Sequence, residues 1–276
     1  MSEELFNQDE QLSEVLQQIS SQLRLSLGNI HSALSRLAPP QAKDQDSKTD
    51  QDAAVLCQSY YRILRLTNNL ADASEPPRPA GMGQANDDIV RLCQEVMDQA
   101  EAPARLLGIQ LEFRCAKRSH IMAMDGERIR RLLLNLLSNA FKFIGQEEKK
   151  VTLELRVERN MVMLALTDTG CGMTPQQLST AFDRSRQSGH QDPPPHGLGL
   201  GLPVCQRIAA EHGGGIALAS KPGAGTTVTV SLSSHRLPPR VESPLPVILT
   251  GGGFNKTIVE LSDALPREAF TQKYLD

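Results

Sequence analysis

The sequence predicts an α+β protein in which an N-terminal two-helix hairpin is followed by an α/β two-layer sandwich. Apolar residues recur at helical steps of three and four in the first part of the chain, whereas "VTLELRV" and "TVTVSL" alternate as strands do. Strands of this kind form a sheet with one face covered by helices. The segment Glu75–Gly83, "EPPRPAGMG", has the proline and glycine content of a linker. We therefore expect a helical hairpin over residues 1–75, a sandwich over 84–235 and a C-terminal extension of unassigned role over 236–276.

The first predicted helix has one narrow apolar stripe. It ends before a polar linker with two prolines, "APPQAKDQDSKTDQD", and a second amphipathic helix follows. The stripe of the first helix consists of Leu12, Leu16, Ile19, Leu23, Leu27, Ile30, Leu34 and Leu37. The stripe of the second helix consists of Leu56, Tyr60, Ile63, Leu66 and Leu70.

A two-helix hairpin cannot bury both of these stripes by itself. Two copies of the hairpin can do so as a four-helix bundle, so we expect a homodimer formed through residues 10–74. The alternative, an intramolecular hairpin that packs on the rest of the chain, stays open at this point.

Composition and charge argue against nucleic-acid and membrane partners. The net charge of the 276 residues is −3, so there is no basic excess to bind a phosphate backbone. No run of about 18 apolar residues could span a bilayer, and the polar start "MSEELFNQDEQ" is unlike a signal peptide. The five cysteines are widely spaced and lack a Cys-x-x-Cys pair, which is typical of reduced thiols. We expect a cytoplasmic protein that receives its input from a soluble partner or ligand.

The predicted elements of the sandwich follow one another in a clear order. A helix near Asp87–Ala102 precedes the strands "IQLEFRC" and "HIMAMD" and the long helix "GERIRRLLLNLLSNAFKFI". The strands "KVTLELRVE" and "MVMLALTD" come next, around a turn at Arg159 and Asn160. The helix "GLPVCQRIAAEHGG" ends on glycines, as helices commonly do. The strands "GIALAS" and "TTVTVSLS" complete the sheet.

Three polar side chains of the long helix point in the same direction. Asn135, Asn139 and Lys142 are spaced by four and three residues, so they project from one side of that helix. An amide oxygen can ligate Mg²⁺, and a lysine supplies a positive charge for phosphates. The alternative interpretation of Asn135 is a hydrogen-bonded polar residue within a buried helix.

Two glycine-containing segments follow. Asp168 ends a predicted strand, and Gly170 and Gly172 behind it would let the backbone approach a flat ligand. Three other glycines alternate with leucine immediately before a helix, where open backbone N–H groups can bind anionic oxygens. These are Gly197, Gly199 and Gly201.

The segment "AFDRSR" completes a series of four motifs. The segments "NLLSNAFKF", "DTGCGM", "AFDRSR" and "HGLGLGL" occur in this order and resemble the N, G1, F and G2 boxes of the Bergerat-type (GHKL) ATPase domain of histidine kinases and gyrases. The resemblance implies ATP and Mg²⁺ as cofactors. It gives Asn139 the metal ion, Asn135 and Lys142 supporting contacts to the nucleotide, and Asp168 a hydrogen bond from the adenine amino group. The last three glycines would form the hinge of a lid over the triphosphate.

The resemblance also favours a kinase over a hydrolase. Members that split water place a Glu one helical turn before the Mg²⁺-binding Asn, where it can act as general base, and this chain has Asn135 there. The upstream hairpin resembles the dimerisation hairpin of histidine kinases, so the likeness covers about residues 10 to 235. It implies a response regulator or another kinase as the partner.

The hairpin departs from the family at the phosphate acceptor. Ser21 stands where the family has its acceptor His, and Gln22 replaces the acid that follows it. His31 is the other candidate acceptor, although a histidine that packs near the stripe is the alternative. We therefore expect an ATP-binding, histidine-kinase-like signalling protein with impaired autophosphorylation, that is, a pseudokinase. The other hypothesis is an active sensor kinase that transfers phosphate to Ser21, His31 or a partner protein.

One further glycine-rich segment needs an interpretation. "VILTGGGFNKT" is similar to a phosphate-binding P-loop, but Asn255 occupies the place of the glycine that should precede the lysine. We expect this segment to be a loop of the C-terminal extension.

Overall fold

The structure is a computed structural model, and it describes residues 23, 27, 30, 47–74, 78, 82–145, 148–182, 201–238 and 255–270. Contacts divide the chain into two compact units. One unit combines Met1–Pro76 with Gly252–Asp276, and the other is Pro77–Gly251. The domain boundaries inferred from sequence at residues 75, 84 and 235 stay predictions.

The predicted strands and long helices of the sandwich agree closely with the observed bounds. The helices are α1 (Ser47–Ser74), α2 (Ile89–Leu106), α3 (Gly126–Lys142), α4 (Pro175–Thr180), α5 (Gly201–Glu211) and α6 (Lys256–Leu261), and a 3₁₀ turn covers Arg267–Phe270. The strands are β1 (Ala85–Asp88), β2 (Gln110–Cys115), β3 (Ile121–Met124), β4 (Lys150–Glu158), β5 (Met161–Asp168), β6 (Gly215–Ser220) and β7 (Thr226–Ser233). Elements β1, α4, α6 and the 3₁₀ turn were not predicted. Among the described parts of the chain, no helix is long and apolar enough to cross a membrane.

The second unit contains a five-stranded sheet in the order β2-β4-β5-β7-β6. Strands β2 and β4 are parallel, and the other neighbours in this sheet are antiparallel. A separate antiparallel pair is formed by β1 and β3. The pairing of β5 with β7 sets Asp168 opposite Thr226, at the end of the sheet where the candidate site lies.

Helices α2, α3 and α5 supply the apolar layer that covers this sheet. Alternate residues of β4, β5 and β7 are buried, which is the pattern of a sheet with one covered face. Leu133 and Leu137 of α3 are fully buried, as is Val162 of β5. The predicted α+β class with a two-layer sandwich is therefore confirmed.

The first unit contains α1, the second helix of the predicted hairpin. Of the predicted first helix, the structure describes Leu23, Leu27 and Ile30, which are helical, whereas Ser21, Gln22 and His31 lie outside the described residues. The predicted stripe of α1 is divided in the structure. Tyr60 is 2% exposed, but Leu56 and Ile63 are 55% and 44% exposed in the single chain.

The C-terminal segment of this unit differs from its prediction. Asn255 caps α6, because its Oδ1 accepts hydrogen bonds from the backbone N–H groups of Thr257 and Ile258 at 3.1 and 3.2 Å. Lys256 and Thr257 therefore lie in the first turn of a helix, and the expected loop is wrong for these two residues. The residue that breaks the P-loop pattern is thus a helix cap.

Candidate functional site

Helix α3 carries the three polar residues predicted to face one ligand. Its N-terminus is capped by Asp125, whose Oδ1 accepts a hydrogen bond from the backbone N–H of Arg128 at 3.2 Å. Asn135 is fully buried, and its Nδ2 donates to the carbonyl of Arg131 at 3.2 Å. Asn135 is therefore a hydrogen-bonded buried amide, and its predicted contact with a nucleotide stays a prediction.

The other two polar residues of α3 lie nearer to solvent. Asn139 and Lys142, at the C-terminal end of the helix, are both partly exposed. Partial exposure leaves an amide and an ammonium group able to reach a ligand that arrives from solution. The three residues thus form a line on α3 that starts in the core and ends at the surface.

The first residue of α5 lies directly against this line. A Cβ atom placed on Gly201 would be 3.3 Å from Oδ1 of Asn135 and 3.9 Å from Nδ2 of Asn139. A glycine at this position lets the start of α5 approach both amides closely. The structure therefore brings together one of the three predicted loop glycines and the two asparagines, whereas Gly197 and Gly199 lie outside the described residues.

Asp168 occupies the end of β5, where its side chain is held by backbone groups. Its Oδ1 accepts hydrogen bonds from the backbone N–H of Gly170 at 2.8 Å and of Thr226 at 3.2 Å. The residue is only 7% exposed. Burial raises the pKa of Asp168 above its usual value, and the two backbone hydrogen bonds partly oppose this rise. The carboxyl group is thus fixed in orientation.

The two glycines after Asp168 permit close backbone contacts. A Cβ on Gly170 would collide with the carbonyl oxygen of Phe143, and Cys171 donates its backbone N–H to the same oxygen at 3.0 Å. Gly172 has a φ of +66°, and a Cβ there would collide with the carbonyl of Lys221. The loop after Asp168 consequently packs on the residue that follows Lys142, and this contact connects the two halves of the site.

The turn between β6 and β7 contributes to the site in a way that was not predicted. Thr226 donates its backbone N–H to Asp168, and its hydroxyl lies 2.9 Å from Oγ of Ser220. That Oγ also accepts the backbone N–H of Met173 at 2.8 Å. Gly225 has a φ of +78°, and a Cβ there would collide with the carbonyl of Asp168. The signal was present in "GAGTT" before the last strand, but using it requires the pairing of β5 with β7.

The side chains at the site suit a magnesium ion that takes most of its ligands from water and substrate phosphates. In the described ranges, no group of three or more His, Cys, Asp or Glu side chains could hold a metal ion. Mg²⁺ commonly keeps several water molecules and takes one or two protein oxygens together with substrate phosphates. A single amide oxygen from Asn139 meets that requirement, so the residues present fit an ion that arrives with a nucleotide.

Comparisons with known proteins agree with this geometry. Residues 124–236 match the family described as "Histidine kinase-, DNA gyrase B-, and HSP90-like ATPase". The sensor protein SrrB of Staphylococcus aureus is 26% identical over 234 residues, which cover 82% of this chain and 39% of that protein. The chain therefore spans about two-fifths of the length of the curated relatives that it matches.

Solved structures show the same fold over both units. Full-length ShkA in complex with AMPPNP superposes with a TM-score of 0.64 at 22% identity, covering 90% of this chain and 54% of that one. Histidine kinase ThkA in complex with response regulator protein TrrA gives a TM-score of 0.52 at 17% identity, with 80% and 61% covered. Residues 124–236 thus form a domain of the histidine kinase-, DNA gyrase B- and HSP90-like ATPase family, and the chain is a homologue of sensor histidine kinases.

Proposed function

We propose that this chain is an ATP-binding, histidine-kinase-like signalling protein whose autophosphorylation is impaired. The observation that carries the proposal is the close approach of Gly201 to the amides of Asn135 and Asn139. The glycine segment before α5 supplies backbone N–H groups for phosphates, and α3 supplies an amide oxygen and a cation. A magnesium–nucleotide site requires such groups together, and Gly201 is the described part of the segment that lies beside α3.

Asp168 is proposed to recognise the adenine. The backbone N–H groups of Gly170 and Thr226 bind its Oδ1, so its Oδ2 can accept a hydrogen bond from the exocyclic amino group of the base. Gly170 and Gly172 keep Cβ atoms out of the space beside it. The base then binds at one end of the site and the phosphates at the other.

The phosphate end is assigned to α3. Asn139 is proposed to ligate Mg²⁺ through its amide oxygen, and the ammonium group of Lys142 to neutralise phosphate charge. Asn135 is proposed to position Asn139 and Lys142 from the buried part of α3. Its own amide is held by a hydrogen bond to the carbonyl of Arg131. An amide cannot remove a proton from water, so Asn135 does not provide the general base that ATP hydrolysis would need.

The impaired step is proposed to be phosphate acceptance. Ser21 stands where an acceptor His would be expected, and a serine hydroxyl needs a neighbouring base to become a nucleophile. The residue after it, Gln22, is neutral and cannot act as that base. An active kinase that phosphorylates Ser21, His31 or a partner protein is the second candidate function, because it uses the same nucleotide site.

The helical unit is proposed to form the homodimer and to bind the signalling partner. Its described residues include four outward-facing apolar side chains with 40% to 55% of their surface exposed: Leu23, Ile30, Leu56 and Ile63. A second copy of residues 10–74 would cover them in a four-helix bundle. ThkA has been solved in complex with a response regulator, so a partner of that class, or another kinase, is proposed here.

Incubation with γ-labelled ATP and Mg²⁺ separates these hypotheses. The account predicts no label on the wild-type chain. Acid-labile label that is lost in His31→Ala, or acid-stable label that is lost in Ser21→Ala, would instead establish an active kinase. A chain that binds nucleotide but stays unlabelled supports the pseudokinase proposal.

A further inference from the structure

The described C-terminal residues pack against α1. We call residues 255–270 the C-terminal clasp. Its large apolar side chains are almost completely buried, with exposures between 0% and 5%: Ile258, Val259, Leu261, Leu265 and Phe270. The clasp therefore belongs to the core of the helical unit, although 180 residues or more separate it from α1 in the sequence.

One face of α1 receives the clasp. Gln58, Tyr61 and Arg65 are spaced by three and four residues, so they share a face of the helix. Nε2 of Gln58 donates to the carbonyl of Leu265 at 3.0 Å, and the ring of Tyr61 lies 5.8 Å from that of Phe270. Polar and aromatic contacts thus fix the position of the clasp along about two turns of α1.

A buried arginine makes the contact specific. The side chain of Arg65 is 4% exposed, and its Nη1 lies 2.7 Å from Oδ2 of Asp263. Its Nε lies 3.6 Å from Oε2 of Glu260, a side chain that is 8% exposed. A buried charge that loses its partners is strongly unfavourable, so α1 requires the two acids of the clasp in this position.

We propose that the C-terminal clasp is a docking element that binds α1 of its own chain and so attaches the ATPase domain to the helical unit at both ends. Residues 124–236 lie between α1 and the clasp in the sequence, and the clasp returns the chain to the helix from which it departed. Release of the clasp removes one of the two attachments. It also uncovers the α1 face of Gln58, Tyr61 and Arg65 for another protein.

The test is a full chain with a protease recognition sequence inserted between Gly251 and Gly252. After cleavage, the fragment from Gly252 to Asp276 should stay bound through size-exclusion chromatography, held by the clasp alone. In the variant Glu260→Lys with Asp263→Lys, two lysines face Arg65, and at least a tenfold larger fraction of the fragment should dissociate. Glu268→Lys is the control, since it makes one such acid-to-lysine change at an exposed position of the same segment, and each of the single variants Glu260→Lys and Asp263→Lys is compared with it.

A charge exchange distinguishes loss of docking from misfolding. Adding Arg65→Glu to the double-lysine variant should restore retention of the fragment, whereas a misfolded chain would stay unable to bind it. Dissociation of the wild-type fragment on cleavage, or equal retention in the double-lysine variant, would overturn the proposal. Mixing cut chains with full-length chains that carry a size tag would reveal exchange between copies, and a fragment found only across a dimer would contradict docking within one chain.

Discussion

At the scale of single residues, the site combines one carboxyl group fixed by the backbone with two amides of different burial. Asp168 and Asn135 are held by hydrogen bonds from or to main-chain atoms, so the free protein already orients both side chains. Preorganisation of this kind lowers the cost of ordering side chains when a ligand binds. Asn139 is more exposed, which suits a residue whose partner arrives with the nucleotide.

Asp168→Asn should separate binding from stability. The amide oxygen of Asn can still accept the N–H groups of Gly170 and Thr226, but its amino group cannot accept the adenine proton donor. We expect nucleotide affinity to fall at least tenfold while the free protein stays folded at pH 7. Equal affinity in calorimetric titrations would remove Asp168 from the binding site.

The effect of Asp168→Asn on the free energy of unfolding should depend on pH, and its sign follows from the raised pKa of Asp168. Burial raises the pKa of Asp168 in the folded state, so the folded chain binds more protons than the unfolded chain between the ordinary and the raised pKa. The free energy of unfolding contributed by Asp168 therefore falls as pH rises through that window. As pH rises through that window, urea titrations should show the stability of Asp168→Asn increasing relative to wild type. Above the window the difference in the free energy of unfolding should be constant. A difference that is the same at every pH would contradict this prediction.

Gly201→Ala tests the close approach of α5 to α3. The added Cβ would lie 3.3 Å from Oδ1 of Asn135, so that amide must give way by a few tenths of an ångström, whereas 3.9 Å from Nδ2 of Asn139 is an ordinary contact. We expect about a tenfold loss of nucleotide affinity, or about 1.4 kcal/mol. Gly215→Ala is the control, because a Cβ there meets nothing within 4 Å. Similar losses in both variants would show that glycine at position 201 has no particular role.

At this scale the sequence predicted residue types better than contacts. The spacing of Asn135, Asn139 and Lys142 was sufficient to place them on one side of a helix, because helical geometry is local. Thr226 was not predicted because its hydrogen bond to Asp168 depends on the pairing of β5 with β7. The two residues are 58 positions apart, and neither strand's sequence alone indicates which strand it pairs with.

At the scale of elements, a buried ion pair joins the first turn of α3 to the last turn of α5. Nε of Arg128 lies 2.8 Å from Oε2 of Glu211, and their side chains are 11% and 8% exposed. The backbone N–H of Asp125 donates to Nε2 of His212 at 3.0 Å, just beyond the end of α5. These contacts fix the C-terminal part of α5 while Gly201 at its start approaches the asparagines.

Arg128→Met should destabilise the sandwich by about 3 kcal/mol, because it removes the nearer cation of the buried Glu211 carboxylate and leaves it only Arg207, at 3.9 Å. Arg156→Met is the control, since Arg156 is 64% exposed in its pair with Glu154 and such surface pairs contribute about 0.5 kcal/mol. Chemical unfolding measures both. A loss for Arg128→Met as small as that of the control would mean that water replaces the cation.

Elements with a clear apolar pattern were predictable, whereas β1 and α6 were not. The bounds of β4 and β5 agree with the prediction residue for residue, since alternation over eight or nine residues is a strong signal. Strand β1, "ANDD", is four residues of mostly polar sequence, and α6 has only six residues, so neither had a period to detect. Their positions depend on tertiary partners: β3 for β1, and α1 for α6.

At the scale of the whole molecule, the helical unit is a composite of distant segments. The clasp covers one face of α1, while Leu56 and Ile63 on the other side stay exposed in the single chain. The predicted apolar stripe of α1 is therefore partly covered by the clasp and partly exposed. The sequence of α1 alone did not show that the clasp would pack there. If the proposed homodimer forms through Leu56 and Ile63, the clasp can stay bound on the other face of α1.

Leu56→Lys with Ile63→Lys tests the proposed homodimer. Both side chains are already exposed in the single chain, so the double variant should stay folded while the dimer dissociates to monomers. Met82→Lys is the control, because it places the same charge on an exposed apolar residue outside residues 10–74. Light scattering at several concentrations gives the masses, and a wild-type monomer or a dimer that survives the double change would refute the proposed interface.

The central claim is that the sandwich binds ATP with Mg²⁺ through the end of α3. Calorimetric titration of the full chain with the non-hydrolysable analogue AMPPNP, with and without Mg²⁺, tests it most directly. The account predicts Mg²⁺-dependent binding that is at least tenfold weaker in Asn139→Ala and unchanged in Asn160→Ala, which alters an exposed turn residue. Absence of binding by the wild-type chain, or equal affinity in Asn139→Ala, would contradict the account.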